Sequence, residues 1–141
     1  MSFPSDVRAY FDARIKTVDA NLDLIDDALN DEPINTVEAK KGYKMILGDI
    51  VFERDGNYYT EQIPVTVVIY DEPIRQEIAT YDVLYCKGQD IKDAIINPMQ
   101  AKTQSNWSDI FALSMTPGQE DTDDKLFNMT LEFNIRRDLT F

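Results

Sequence analysis

The sequence predicts an α+β domain in which a four-stranded, largely antiparallel sheet packs two helices on one face. Three patterns carry this prediction. Apolar residues recur every three or four positions near the start and again after Pro73, apolar and polar residues alternate strictly near the end, and Asp55-Gly56 is typical of a tight hairpin turn. The elements follow the order α-β-β-α-β-β, and 141 residues form one domain, 1–141.

The first helix is predicted to begin at Ser5, whose hydroxyl can accept hydrogen bonds from the free N–H groups of the first turn. An apolar stripe then holds one face for about five turns. Its members are Phe11, Ile15, Val18, Leu22, Ile25 and Leu29. Because the spacing also matches a heptad seam, the stripe packs either on its own domain or on a neighbouring subunit. Pro33 ends this helix.

The next two strands are predicted on either side of Asp55-Gly56. In the first, the alternation changes parity at Gly48-Asp49, which indicates a bulge or kink. In the second, Pro64 has no N–H to donate, so we expect a sheet edge or a local bulge there. One face of this second strand is apolar, and it carries Tyr59, Ile63, Val65, Val67 and Ile69.

The second helix is predicted to begin at Asp71-Glu72-Pro73, a cap, an acid and a proline. Its apolar stripe is Ile74, Ile78, Tyr81, Tyr85, Ile91 and Ile95. Glycine costs about 1 kcal/mol relative to alanine inside a helix, so Gly88 is expected to mark a kink or short break.

Two further strands are predicted to close the sheet. The first has apolar side chains on odd positions, at Trp107, Phe111, Leu113 and Met115. The second alternates more strictly, with Phe127, Met129, Leu131, Phe133 and Ile135 on one face. Such alternation indicates one buried and one solvated face, as is common in antiparallel sheets.

The composition disfavours enzyme chemistry and several classes of partner. The chain has 14 basic and 26 acidic residues, a net charge of −12, no histidine and one cysteine. Histidine triads, most zinc sites and internal disulfides are therefore excluded, and Cys86 is expected to be reduced and packed. The acidic balance repels phosphates and anionic membranes. We expect no enzyme activity, no cofactor and no metal, and the start of the chain lacks the layout of a secretion signal.

An acidic loop between the last two strands invites a calcium interpretation, which its spacing does not support. Counting an EF-hand loop from Asp121 places Leu126 at the sixth position, where that loop needs glycine.

The order of elements resembles that of the tail terminator proteins of long-tailed bacteriophages, and of related tail-completion or neck proteins. The likeness spans nearly the whole chain. Its most specific part runs from Asp27-Ala28-Leu29-Asn30 through Ile34 to Tyr43-Lys44-Met45-Ile46-Leu47-Gly48.

This resemblance implies a structural virion protein that assembles in the host cytoplasm. It implies a ring, usually a hexamer, that caps the tail tube and joins it to the head-side connector, with DNA passing without specific binding. The expected partner-protein interface is Arg54, Asp55, Asn57, Tyr58 and Trp107. An acidic lumen or rim is expected at Glu120, Asp121, Asp123 and Asp124, unless that loop is simply solvated on the outer wall.

Two other functions remain open at the level of sequence. A head-completion or neck connector protein would also form a ring in the same part of the virion. An acidic inhibitor that mimics nucleic acid would instead use carboxylates such as those between Asp19 and Glu32, where six acidic residues occur with no basic one.

Overall fold

The computed structural model describes residues 2–24, 42–56, 58–71, 77–96, 109–120 and 126–140. Within these ranges the chain forms two helices and six strands. They are α1 (Phe3–Val18), β1 (Asp23–Leu24), β2 (Gly42–Leu47), β3 (Val51–Asp55), β4 (Tyr58–Asp71), α2 (Glu77–Ile96), β5 (Asp109–Glu120) and β6 (Leu126–Thr140). The predicted α+β class is therefore confirmed.

All the described strands belong to one sheet, in the order β1-β2-β4-β6-β5, with β3 pairing β4 as well. Every pairing is antiparallel except the short parallel contact between β1 and β2. The prediction of four strands was only approximately right, because the first predicted strand is divided into β2 and β3, and β1 was missed. The expectation of an edge position for β4 is wrong, since β4 pairs on both sides.

The division between β2 and β3 explains how Pro64 fits inside a central strand. Leu47 lies opposite Val65 and Val51 lies opposite Gln62, so the β2–β3 side carries one extra residue. The Gly48 N–H donates to the Pro64 carbonyl at 2.8 Å. Because the nitrogen and carbonyl of a strand residue point to the same side, the missing N–H of Pro64 faces this interruption. The predicted parity change at Gly48 is thus a bulge.

The core lies between the helices and the inner face of β4 and β6. The five apolar residues predicted for β6 are all buried, with exposures from 0% to 3%. Their neighbours on β4 are Ile63, Val65, Val67 and Ile69, which are also buried. The Phe11 ring of α1 meets the Phe133 ring edge-on, with 5.3 Å between centroids. The alternation therefore identified the correct buried face for both strands.

The first helix starts earlier and ends much earlier than predicted. Ser2, not Ser5, is the N-cap, and the two serines form a reciprocal capping box. After Val18, the Asp19 side chain accepts the Asn21 N–H at 3.0 Å, which turns the chain out of the helix. Leu22 is buried beyond this turn, whereas Ile25 and Leu29 lie outside the described residues.

The second helix runs through Gly88 without the expected break. A Cβ at Gly88 would lie 2.6 Å from the Met115 sulfur, so glycine here permits close packing of α2 on β5. Tyr85 is exposed and Leu84 is buried in its place, which corrects the predicted stripe. Cys86 is exposed rather than packed. Of the predicted start, Asp71 belongs to β4 and residues 72–76 lie outside the described ranges.

The two helices are antiparallel and joined by polar contacts. Near the end of α2, the Tyr10 hydroxyl donates to the Ile95 carbonyl at 2.7 Å, and Arg14 Nε donates to the Ala94 carbonyl at 2.9 Å. Carbonyls in a last helical turn have no partner within the helix, so these contacts cap α2. At the other end, Asp19 and Lys87 form an ion pair of 2.9 Å.

Burial and ion pairing shift the pKa values of Tyr10 and Asp19 in opposite directions. Burial raises the pKa of the Tyr10 phenol. The hydrogen bond from Lys87 is the main cause that holds the pKa of Asp19 below its usual value. Folding therefore stabilises the ionised carboxylate of Asp19 relative to its protonated form.

Candidate protein-interaction surfaces

Within the described residues the sheet has two lateral edges: β1 and β3 follow one another along the first, and β5 forms the second. Among the described residues, β3 pairs only with β4 and β5 pairs only with β6. An edge strand presents backbone donors and acceptors that can pair with another chain. Both edges also carry exposed apolar side chains, so each can act as a protein-binding surface.

The hairpin edge, defined as Val51–Asp55, places apolar side chains on both faces of the sheet. Phe52 lies opposite Glu61, on the face that carries the helices, and Val51 lies opposite Gln62, on the outer face. Phe52 is 64% exposed and Val51 is half exposed. An exposed aromatic ring beside an open strand edge is typical of contact surfaces.

The tip of this hairpin has the predicted tight turn. Asp55 lies opposite Tyr58, and Gly56 has a φ of 61°, which glycine adopts without strain. Arg54 Nε donates to the Gly56 carbonyl at 3.1 Å, and the guanidinium lies 5.5 Å from the centre of the Tyr59 ring. These contacts hold the exposed Arg54 charge at the hairpin edge.

The base of the hairpin is held by one ion pair to β6, and a second ion pair joins β6 to β5. Arg137 lies 2.9 Å from Glu61 and stacks 4.6 Å from the centre of the Phe3 ring. Next to it, Arg136 lies 2.8 Å from Asp109 of β5. The hairpin is therefore anchored both to α1 and to the central strands, which keeps its position relative to the core.

The edge formed by β5 is reshaped by a bulge. Ala112 pairs with Phe133 and Ser114 pairs with Glu132, which leaves Leu113 as an extra residue. Ala112 and Met115 consequently face the helices. The predicted odd-position face is wrong for Phe111, which lies opposite Asn134 on the outer face, and right for Met115, because the bulge reverses the parity after Ala112. Leu113 is 62% exposed.

A groove lies between this edge and α2, and we call it the β5–α2 groove. Its volume is about 180 Å³. Its lining includes Gln89, Lys92, Leu113, Met115, Leu131 and Phe133. Farther along β5, Tyr81, Tyr85 and Pro117 border a second hollow that shares Met115. The groove was not predicted from the sequence, because it depends on the bulge in β5 and on the close approach of α2 at Gly88.

The predicted site residues are only partly within the described ranges. Arg54 is exposed at the hairpin edge, and the backbones of Asp55 and Tyr58 flank the turn. The backbone of Glu120 ends β5. The remaining predicted residues lie outside the described residues, and they are Asn57, Trp107, Asp121, Asp123 and Asp124.

The described residues were compared with the requirements of a metal site and of a membrane-spanning helix. No group of three or more acidic or cysteine side chains among them is placed to hold a metal ion. Within the same ranges, neither helix is long and apolar enough to cross a membrane.

No protein-family model matches this chain, and no curated protein matches its sequence significantly.

Proposed function

We propose that this chain is a structural virion protein, a ring-forming tail terminator that caps the phage tail tube and joins it to the head-side connector. The observation that carries this proposal is the pair of exposed, apolar and structurally different sheet edges. A ring built from one kind of subunit needs two different surfaces on each copy, because the contact is head to tail. The hairpin edge and β5 supply such a pair.

The charge of the chain supports a role around passing DNA. A net charge of −12 gives a ring an overall negative field, and such a field repels phosphates and lets the genome slide without specific binding. In this proposal Glu120, Asp121, Asp123 and Asp124 line or rim the channel. The contact with the tube or connector protein involves Asn57 and Tyr58 at the hairpin tip, together with Trp107, while Arg54 and Asp55 belong to the edge that contacts the next copy.

A tube-capping assay tests the proposed function. Tail tubes are polymerised from the tube protein of the same virus, with and without the purified chain, and tube lengths and ends are measured by electron microscopy. We expect rings at tube ends and arrest of elongation at substoichiometric amounts of chain. Binding to the head-side connector without binding to tube ends would assign the head-completion role instead. A chain that binds neither partner would contradict both roles.

The same assay separates the proposal from a nucleic-acid mimic. A mimic is expected to bind a DNA-binding enzyme as a monomer or dimer, and to leave tube growth unchanged. Inhibition of such an enzyme, with no effect on tube length, would therefore overturn the structural role.

A further inference from the structure

We propose that the partner of the β5–α2 groove is a second copy of this chain, whose hairpin edge pairs with β5 and whose Phe52 enters the groove. The inference rests on the proposed ring and identifies the two surfaces that close it. Strand direction, the faces of the sheet and charge each favour this contact.

Strand direction favours this pairing. β3 is antiparallel to β4, β4 to β6, and β6 to β5, so β3 and β5 of one copy are antiparallel to each other. When copies are placed side by side in similar orientations, β3 of one copy therefore lies antiparallel to β5 of the next. This is the pairing that the sheet already uses between its long strands.

The faces of the two edges also match. Residues directly opposite each other in a sheet lie on the same face, so Phe52 lies on the helix-bearing face, as does the β5–α2 groove. Val51 lies on the outer face of β3, and Phe111 lies on the outer face of β5 and is 45% exposed. Continuing the sheet across two copies thus buries apolar side chains on both faces.

Charge complementarity selects a second copy as the occupant. The Tyr81 hydroxyl donates to the Gly118 carbonyl at 3.0 Å, while Lys92 borders the groove beside Ala112, so α2 runs antiparallel to β5. When β3 of one copy pairs antiparallel with β5 of the next, its residues therefore follow one another, from N- to C-terminus, toward the C-terminal end of α2.

Arg54 follows Phe52 by two residues on the same face, which is a distance of about 7 Å along the strand. It thereby meets the last turn of α2, which contains no basic residue and where the Asp93 side chain is 67% exposed. The Asp93 carboxylate lies 3.2 Å from the ammonium group of the adjacent Lys92, so Arg54 shares this carboxylate with Lys92. The negative end of the helix dipole adds to the attraction for the guanidinium.

Charge reversal with mixing of variants tests this inference. Arg54→Glu and Asp93→Arg are purified separately, and Arg8→Glu on the exposed surface of α1 serves as a control with the same charge change as Arg54→Glu. Self-association is measured by sedimentation velocity, and folding of each variant is checked by circular dichroism. We expect each edge variant alone to lose association by at least about tenfold, because like charges then meet at every contact. We expect Arg8→Glu to associate as the wild type does.

An equimolar mixture of the two edge variants gives the sharpest result. The glutamate introduced at position 54 of one variant can pair with the arginine introduced at position 93 of the other. The unaltered Arg54 and Asp93 then pair at the remaining contacts. Copies can therefore alternate, and we expect assemblies to return in the mixture. Failure of the mixture to assemble would overturn the inference, as would wild-type association of either variant alone.

A second variant tests the apolar contact without altering charge. Phe52→Ser removes the ring that enters the groove, and its high exposure means that folding is retained. We expect weaker association, and unchanged association would contradict the inference. A wild-type chain that remains monomeric at all concentrations would also overturn it. If rings form and cap tubes but ignore these variants, this edge assignment fails while the proposed function stands.

Discussion

Leu131→Ala is expected to destabilise the fold by about 3 kcal/mol, within the range of roughly 2–5 kcal/mol found for buried leucines. Leu131 is 1% exposed and lies in the middle of β6, against the close approach of α2 at Gly88. The change loses the transfer free energy of the side chain and leaves a void. Because Leu131 also borders the β5–α2 groove, water can enter part of that void, which places the cost in the lower half of the range.

Urea unfolding followed by circular dichroism measures this cost, at several protein concentrations so that self-association is separated from folding. The matched control is Leu113→Ala on β5, where the leucine is largely exposed; there we expect a change within about 0.5 kcal/mol. At about 2–4 °C per kcal/mol, Leu131→Ala lowers the melting temperature by roughly 6–12 °C. A cost below about 1 kcal/mol, or equal costs at both leucines, would refute the assigned register of β6.

Three further predictions concern the bulge and the helix contacts. Gly48→Ala places a Cβ 2.5 Å from the Pro64 ring, so we expect the free energy of unfolding in urea to fall by about 1–3 kcal/mol. The fall should be smaller in a chain in which Pro64 is also replaced by alanine. Tyr10→Phe leaves a carbonyl of α2 without its donor and should cost about 1 kcal/mol in the same assay, whereas an unchanged midpoint would contradict the cap. Asp19→Asn keeps the turn acceptor but removes the charge paired with Lys87. Since the folded pKa of Asp19 is lowered, its stabilisation is present above the unfolded pKa and is lost as pH falls below about 4. The stability difference between wild type and Asp19→Asn should therefore shrink in acid, and a constant difference would refute the ion pair.

The parts of the fold that were predictable from sequence are those set by local patterns. Strict alternation in β6 identified its buried face, because side chains in a strand point to opposite faces in turn. The Asp55-Gly56 pair identified the hairpin, because its second residue needs a positive φ. The parity change at Gly48 identified the bulge. Each of these signals is read from a few neighbouring residues.

The parts that sequence did not reveal depend on contacts between distant segments. The apolar spacing continues past Asp19, so periodicity alone extends α1, whereas the side chain of Asp19 favours a turn. From the sequence, Gly88 predicts a break in the helix. The structure shows instead that the missing side chain gives room for Met115 of β5. From the sequence, Pro64 predicts an edge strand. The structure accommodates it in the central strand β4, because the interruption between β2 and β3 at Gly48 lies beside it.

Of the two candidate surfaces, one could be predicted from local sequence and the other depends on contacts between distant segments. The hairpin tip with Arg54 could be proposed from sequence, because a turn between two strands is exposed in most folds. The β5–α2 groove could not, because it requires the extra residue Leu113 and the pairing order that puts β5 at the edge. One local feature of the sequence does hint at the bulge. Ile110 is apolar at an even position, whereas the large apolar residues that follow it on β5 occupy odd positions.

Both the proposed function and the proposed contact between copies require this chain to assemble with itself into a closed ring through its sheet edges. Native mass spectrometry of the purified wild-type chain across a wide concentration range tests this requirement most directly. We expect a single ring size, with six copies, that persists as concentration rises, because a closed ring leaves no edge for further addition. A chain that remains monomeric throughout, or that grows into a continuous series of larger species, would contradict it.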